Sequence, residues 1–124
     1  MSDLTDPQVL KALAAQRREL APDTSAAFAA FQGKVFADGA LDHRTKQIIA
    51  VAVAHATQCQ WCIRSHTKAA LRAGVTPAQL MEAAWVATEM RAGGAYAHSS
   101  VMLDTISEAG NAAQRQAHNP EKES

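Results

Sequence analysis

Apolar positions recur along the chain at the three- and four-residue spacing of amphipathic helices, and helix caps mark the breaks between them. A first helix is predicted to begin after Asp6, with Pro7 in its first turn, and to end near Leu20. A second helix is predicted to end at Gly39. Its N-cap is expected to be one of three small polar residues, Asp23, Thr24 or Ser25. Its apolar stripe consists of Phe28, Phe31, Val35 and Phe36.

The third predicted helix has Asp42 as its N-cap and covers residues 43–58. Its middle, IIAVAVA at 48–54, is apolar nearly all round, which is typical of a helix that is buried on most sides. A chain this small has little interior in which to bury such a helix, so the pattern favours association of several copies.

Glycines and a capping box mark the remaining helices. The fourth helix carries the cysteines and is predicted to end with Gly74 as its C′ residue. Thr76 and Gln79, three residues apart, form a capping box that opens the fifth helix. The pair Gly93-Gly94 is predicted to end that helix, and a sixth follows it.

These elements predict an all-α fold, with one domain of about six helices over residues 1–110 and a polar, frayed tail over 111–124. Lys plus Arg and Asp plus Glu both number 12, so the charge balance favours neither a nucleic acid nor a membrane surface as a partner. No apolar run is long enough for a membrane helix. The first ten residues lack a basic stretch followed by an apolar run, so a cytoplasmic location is expected.

The segment CQWCIRSH, residues 59–66, contains both cysteines of the chain. On a helix, Cys59 and Cys62 are three residues apart and Cys62 and His66 are four apart, so the three side chains share one face. Unpaired N–H groups at a helix N-terminus favour the thiolate form of a cysteine, and a histidine one turn away can accept its proton. A thiolate beside a second thiol can attack an oxidant and then be resolved as a disulfide.

Two other interpretations of this segment stay open. Cysteine is a common small core residue, so the pair could be packed in the interior. A zinc site needs three or four ligands, and the available side chains are Cys59, Cys62, His66 and either His55 or His98. A structural zinc site normally brings a second CxxC or a pair of histidines, and neither occurs in this chain.

Residues 41–105 resemble the alkylhydroperoxidase D-like group of the carboxymuconolactone decarboxylase superfamily. The resemblance rests on the CxxCxxxH core, the apolar helix before it, the turn AGVTPAQL and the glycine pair that precedes His98. It implies an all-helical fold assembled as trimers or hexamers, with thiol peroxidase or disulfide reductase activity and an antioxidant role. No cofactor is implied, because the thiols themselves carry two electrons, and a dithiol protein would act as the reductant.

The resemblance implies Cys62 as the thiol that attacks the peroxide, Cys59 as its resolving partner and His66 as the histidine that helps to deprotonate the thiol. The decarboxylase branch lacks this cysteine pair, so the lactone reaction is not favoured. The family pattern has a glutamate proton relay where this chain has Gln47, whose amide does not titrate near neutral pH. His55 could take over the relay, or the relay is missing and the peroxidase activity is weak.

Other side chains carry weaker signals. His98 could line the pocket or be an ordinary hydrogen-bonded histidine. Trp61 points away from the cysteine face of its helix and is assigned first to packing or subunit contact and second to the shaping of a substrate pocket. Arg64 and Arg91 are assigned to the surface, although either could attract an anionic substrate. His43 is expected to be exposed.

The leading hypothesis is a homo-oligomeric, cytoplasmic thiol oxidoreductase that reduces hydroperoxides or partner disulfides. Two further hypotheses stay open. One is a non-catalytic oligomeric module whose cysteine pair senses oxidant or binds a metal. The other is an enzyme of the same superfamily that acts on a different small molecule.

Overall fold

The computed structural model describes residues 2–119, and the α-helix is their only regular secondary structure. Five helices follow one another: α1 Pro7–Leu20, α2 Pro22–Phe36, α3 His43–Ala56, α4 Gln60–Arg72 and α5 Pro77–His118. The all-α prediction is confirmed, with five helices in the described range where about six were expected. The chain forms two compact units, Met1–Gln47 and Ile48–Ser124, and the boundary between them falls within α3.

In the first unit, α1 and α2 both begin with a proline. Asp6 caps α1, as predicted, because its carboxylate accepts a hydrogen bond from the N–H of Gln8 at 2.8 Å. Helix α2 begins at Pro22 with Ala21 as its N-cap and no side-chain capping bond. The prediction of an N-cap among residues 23–25 is therefore wrong. Proline at the first helical position has its φ already fixed and lacks the N–H that a cap would satisfy, so the helix starts before the polar run.

Two side chains from the first turn of α3 bind the end of α2. Helix α2 ends at Phe36, three residues before Gly39, the end predicted from the sequence. The ring nitrogen Nδ1 of His43 lies 2.7 Å from the carbonyl oxygen of Phe36. The Nζ of Lys46 donates to the carbonyl oxygen of Ala37 at 2.6 Å. His43 is half-buried by this arrangement, so its predicted exposure is wrong.

Asp42 caps α3, as predicted. One carboxylate oxygen accepts a hydrogen bond from the N–H of Thr45 at 2.7 Å. Hydrogen bonds from the side chain and the backbone of Thr45 hold the pKa of Asp42 below its usual value of 3.8. The cap is therefore strongest when this carboxylate is ionised.

The second unit has a small core of short side chains. The buried apolar residues are Val51, Ala54, Ala70, Val75, Ala83 and Ala87. They come from α3, from α4 and the turn that follows it, and from the first three turns of α5. Only a narrow strip of each helix is buried, and the prediction that α3 is buried on most sides does not hold for the single chain. Ile49 and Val53 on α3 are 45% and 53% exposed.

Helix α4 ends at Arg72, and Gly74 is its C′ residue, as predicted. Gly74 has a φ of +86°, in the left-handed region that glycine adopts without steric penalty. Its N–H donates to the carbonyl oxygen of Leu71, and the N–H of Val75 donates to that of Ala70, both at 3.0 Å. This pair of bonds is a Schellman motif, which satisfies the last carbonyls of the helix and brings Val75 into the core.

Helix α5 begins with the predicted capping box. The hydroxyl of Thr76 accepts from the N–H of Gln79 at 3.2 Å, and Oε1 of Gln79 accepts from the N–H of Thr76 at 3.0 Å. The helix then continues without interruption through Gly93 and Gly94, so the predicted break is wrong. An interior glycine weakens a helix by only about 1 kcal/mol relative to alanine, and the residues around this pair are strong helix formers.

The continuous α5 changes the description of the C-terminus. The polar tail predicted from Asn111 is helical up to His118. Pro120 and the residues after it lie outside the described range. Within the described range, no helix combines the length and the apolar character needed to cross a membrane.

Candidate functional site

Cys59 is the last residue of a second Schellman motif, at the end of α3. The N–H of Gln58 donates to the carbonyl oxygen of His55 at 3.2 Å, and the N–H of Cys59 donates to that of Ala54 at 3.0 Å. Gln58 occupies the position that Gly74 holds at the end of α4, with a φ of +56°. A side chain is disfavoured in this conformation, so the turn that positions Cys59 carries backbone strain that the end of α4 avoids.

Cys59 is also the N-cap of α4. Its backbone is extended, with φ −96° and ψ 96°, and its Sγ accepts a hydrogen bond from the N–H of Cys62 at 3.3 Å. Serine or aspartate normally fills this role with an oxygen atom. The same residue therefore ends one helix with its N–H and begins the next with its side chain.

A disulfide joins Cys59 to Cys62, with 5.3 Å between their Cα atoms. Both cysteines are half-buried, and the core of this unit is formed by other residues. The packed-core interpretation is therefore not supported. Because Cys59 is the extended N-cap and lies outside the helical turns, its sulfur meets that of Cys62 while the first turn of α4 stays intact.

Two histidines lie near the cysteine segment in the sequence. His66 is half-buried on α4, one turn after Cys62. His55 is half-buried near the end of α3, and its Nδ1 lies 2.8 Å from the carbonyl oxygen of Val51. A carbonyl can only accept, so Nδ1 of His55 carries the hydrogen. In the neutral ring, Nε2 is then the nitrogen that can accept a proton.

Gln47 and His98, the other two residues predicted for the site, lie in different surroundings. Gln47 is buried on α3, with 4% of its surface exposed. His98 is exposed on α5, and its Nδ1 lies 3.0 Å from the carbonyl oxygen of Gly94 in its own helix. This bond is that of an ordinary helix-surface histidine, and it does not join His98 to the cysteine pair.

Arg91 makes a contact that the sequence did not reveal. Its Nη1 donates a hydrogen bond to the carbonyl oxygen of Ala56, the last residue of α3. The guanidinium therefore sits where a helix C-terminus favours a cation, immediately before the turn that carries Cys59. No local pattern predicts this bond, because its partners are 35 residues apart.

A metal site finds no support in the described part of the chain. Across residues 2–119, no three His, Cys, Asp or Glu side chains are grouped so that they could hold a metal ion. The disulfide also occupies the two sulfurs that a zinc site would need as thiolates.

Residues 2–119 form an all-α fold in which a CxxC pair closes a disulfide at the start of α4. These features define a CxxC thiol protein. The chain belongs to the carboxymuconolactone decarboxylase family, whose sequence profile matches residues 22–103. It is 55% identical to uncharacterized protein 4 in the cox locus of Paracoccus denitrificans over 108 residues, which are 87% of this chain and 96% of the relative. It is 40% identical to an uncharacterized protein of Cupriavidus necator over 81 residues, which are 63% of this chain and 72% of that protein.

Two solved structures have a similar fold. A protein from Methanobacterium thermoautotrophicum gives a TM-score of 0.65 at 39% identity. The match covers 68% of this chain and 94% of that protein's chain. The apo form of a carboxymuconolactone decarboxylase family protein from Legionella pneumophila gives a TM-score of 0.64 at 29% identity, covering 82% and 90%. The assignment of residues 41–105 to the carboxymuconolactone decarboxylase superfamily is thereby confirmed.

Proposed function

We propose that this chain is a thiol oxidoreductase of the alkylhydroperoxidase D-like group, which reduces hydroperoxides or partner disulfides by cycling Cys59 and Cys62 between dithiol and disulfide. The observation that carries the proposal is the disulfide at the N-cap of α4. It corresponds to the oxidised product of such a cycle. The half-buried position of both cysteines supports access by a small peroxide or by another thiol.

In the oxidising half of the cycle, the Cys62 thiolate attacks one oxygen of the hydroperoxide. The O–O bond breaks, Cys62 becomes a sulfenic acid, and the alkoxide takes up the proton that the Cys62 thiol had given to its base and leaves as an alcohol. The Cys59 thiolate then attacks the sulfur of Cys62 and forms the disulfide. The hydroxide that leaves takes up the proton lost by the Cys59 thiol and becomes water. The peroxide gains two electrons and the thiol pair loses two.

In the reducing half, a thiolate of the dithiol reductant attacks the disulfide and forms a mixed disulfide. The N-cap geometry favours attack on Cys62, because Cys59 then leaves as a thiolate that accepts the N–H of Cys62 and faces the positive end of α4. A stabilised thiolate is the better leaving group. The second thiol of the reductant completes the exchange and restores both cysteines.

The histidines are assigned to proton transfer. His66, one turn after Cys62, is suited to accept the proton of the attacking thiol. His55, with Nδ1 held by the Val51 carbonyl, offers Nε2 as a proton acceptor and would take the place of the glutamate that Gln47 replaces. Neither role needs a cofactor.

A homo-oligomer, trimeric or hexameric, is part of the proposal. Large apolar side chains are exposed on several helices of the single chain, including Phe31 at 62%, Val53 at 53% and Trp85 at 62%. Exposed apolar surface on this scale is typical of an association face. Light scattering coupled to size-exclusion chromatography would determine the number of copies.

The test of the function is peroxide consumption by the full chain, with dithiothreitol as electron donor and hydrogen peroxide or cumene hydroperoxide as substrate. Repeated turnover, with intact masses that alternate by two hydrogens between the oxidised and the reduced protein, is the expected result. A single stoichiometric oxidation without turnover would instead identify a redox sensor. The absence of any reaction on the timescale of free thiols would favour a superfamily enzyme that acts on another small molecule.

A further inference from the structure

The last three carbonyl groups of α3 are each bound by a donor from beyond the helix. Two of them accept from N–H groups of the turn itself, those of Gln58 and Cys59, at 3.2 and 3.0 Å. The third, the carbonyl of Ala56, accepts from Nη1 of Arg91 on α5. The end of α3 is therefore tied to another helix, three residues before Cys59.

This tie acts on a turn whose backbone is strained. Gln58 has a φ of +56°, whereas the corresponding position at the end of α4 is filled by Gly74. A left-handed conformation disfavours a side chain and persists only where the surrounding structure holds it. The hydrogen bond from Arg91 to Ala56 contributes to this hold, from a residue 35 positions away in the sequence.

An arginine is well suited to this contact. Hydrogen bonds from an ionised donor are stronger than those between neutral groups, and the C-terminus of a helix favours a cation. The side chain of Arg91 is exposed, so its replacement leaves neither a cavity nor a buried charge. A change at this position therefore acts on the end of α3 without disrupting the core.

We propose that Arg91 is a positioning residue for the redox reaction of Cys59 and Cys62. By holding the carbonyl of Ala56, it keeps the turn at Gln58 in the conformation that places the sulfur of Cys59 against that of Cys62. Arg91 acts through the backbone of the turn and exchanges no proton or electron. Its effect on the rate of the cycle rests on the proposed function, whereas its effect on the disulfide equilibrium does not.

The hold matters most when the two sulfurs are not bonded to each other. In the disulfide, the covalent bond itself keeps Cys59 beside Cys62. In the dithiol, Cys59 depends on the turn and on the N–H of Cys62 for its position. A turn that relaxes lowers the effective concentration of one sulfur at the other. Arg91 therefore favours the disulfide over the dithiol and speeds the step that closes the disulfide.

That step is balanced without Arg91. Cys62 is then a sulfenic acid, which the peroxide has oxidised by two electrons. The Cys59 thiolate attacks its sulfur, the S–S bond forms and the S–O bond breaks. The hydroxide that leaves takes up the proton lost by the Cys59 thiol. Arg91 changes only the fraction of time for which Cys59 is within reach.

The first experiment measures the equilibrium between the full chain and glutathione. The chain is equilibrated in mixtures of reduced and oxidised glutathione and quenched with acid, and intact mass gives the fractions of dithiol and disulfide. In Arg91→Ala the equilibrium constant for disulfide formation is expected to fall by about threefold or more, because the sulfurs meet less often in the dithiol. Arg91→Lys keeps a cationic donor and should recover part of this loss.

The matched control is Arg115→Ala. It removes another exposed arginine of α5, whose Nε donates to the carbonyl oxygen of Asn111 in its own helix. This variant should leave the glutathione equilibrium unchanged. Alanine is the best helix former, so both substitutions preserve α5, and circular dichroism checks this.

Urea unfolding separates positioning from a general loss of stability. If Arg91 only stabilised the fold, its removal would lower the free energy of unfolding equally in the oxidised and the reduced chain, and the glutathione equilibrium would not move. A positioning role predicts a larger loss in the oxidised chain. Because the two quantities are linked, the unfolding data check the equilibrium data independently.

A single turnover with hydrogen peroxide tests the kinetic part. Pre-reduced chain is mixed with peroxide in the presence of dimedone, which traps sulfenic acid. Arg91→Ala is expected to trap more sulfenic acid on Cys62 than the unsubstituted chain, because Cys59 resolves it more slowly. The rate at which peroxide is consumed in this first turnover should stay the same, since the attack by Cys62 precedes the step that Arg91 assists.

An unchanged glutathione equilibrium in Arg91→Ala would overturn the positioning role, and so would a shift of equal size in Arg115→Ala. The equilibrium involves no peroxide, so it distinguishes this failure from failure of the proposed function. If the equilibrium shifts as expected and dithiothreitol supports no peroxide turnover, the proposed function is wrong and the positioning role stands. If the chain turns over peroxide and the equilibrium does not shift, only the positioning role is wrong.

Discussion

The backbone N–H of Cys62 donates a hydrogen bond to Sγ of Cys59, the same sulfur to which the side chain of Cys62 is bonded. The N–H belongs to the backbone of the first turn of α4, so we expect it to keep its direction when the disulfide is reduced. It then points at a free thiol or thiolate. Because this donor and the helix dipole both favour the anion, Cys59 is the cysteine whose thiolate the fold stabilises most directly.

We expect Cys59 to alkylate at lower pH than Cys62. In Cys62→Ser, the thiol of Cys59 still accepts the hydrogen bond from the N–H of residue 62. In Cys59→Ser, the remaining thiol of Cys62 is not at the N-cap and lacks such a bond. Iodoacetamide rates measured against pH on the two reduced variants test this. A lower midpoint for Cys62 would mean that its histidine outweighs the N-cap, and the assignment of Cys59 as leaving group would then be wrong.

Single cysteine substitutions should separate the two steps of the cycle. Cys62→Ser is expected to abolish peroxide turnover, because the attacking thiol is gone. Cys59→Ser is expected to leave a sulfenic acid or a mixed disulfide on Cys62, detectable by dimedone labelling or intact mass. Ser65→Ala on the exposed face of α4 is the matched control and should turn over normally. Full peroxide consumption in both cysteine variants would refute the cycle.

The proton relay can be tested from both directions. His55→Gln is expected to slow peroxide reduction by about tenfold or more, since it removes the proposed proton acceptor. Gln47→Glu is expected to speed the reaction by restoring the carboxyl group of the family pattern, while lowering stability because the site is buried. His118→Gln, on the exposed end of α5, should leave the rate unchanged. If Gln47→Glu folds and does not react faster, the relay does not run through that position.

The two Schellman motifs predict stability changes of opposite sign. Gln58→Gly should raise the free energy of unfolding by about 1 kcal/mol, because glycine relieves the left-handed strain at φ +56°. Gly74→Ala should lower it by about the same amount, since a side chain there meets no atom within 4 Å and only the φ of +86° opposes it. Urea unfolding measures both. A loss of stability in Gln58→Gly would mean that the glutamine side chain compensates for its strain.

Asp42 gives the fold a defined acid dependence. Its pKa is lowered in the folded chain by the hydrogen bonds from Thr45, relative to the usual 3.8. The ionised cap therefore stabilises the fold above pH 3.8, and this contribution is lost as the pH falls through the lowered pKa. Asp42→Asn should unfold with a weaker pH dependence below pH 3.8 than the unsubstituted chain. Asp104→Asn, on the exposed part of α5, is the control and should follow the unsubstituted chain.

The features that the sequence predicted correctly depend on residues close together in the chain. The caps at Asp6, Asp42 and Gly74 and the capping box at Thr76 each need only a neighbour within five residues, so their residue types suffice. The pairing of the two cysteines also joins residues only three positions apart, although Cys59 is the N-cap of α4 and not, as predicted, a residue of the helix itself.

The features that the sequence did not predict depend on competition or on distance. The pair Gly93-Gly94 predicts a break, but the free energy by which two glycines weaken a helix is small compared with the stability of the helical residues on either side. Gln58 has no intrinsic preference for a left-handed conformation, and its φ is imposed by the turn between α3 and α4. The bond from Arg91 to Ala56 depends on how α5 lies against α3, which no local pattern encodes.

The uninterrupted α5 has one more consequence. Its 42 residues extend over about 63 Å, and nearly every side chain from Ala95 onward is exposed. Helices in proteins owe most of their stability to the packing of an apolar face, and this half of α5 has little such packing within the single chain. Association into the proposed homo-oligomer would supply it, so the amide exchange of this half should be rapid in dilute samples and should slow as the protein concentration rises.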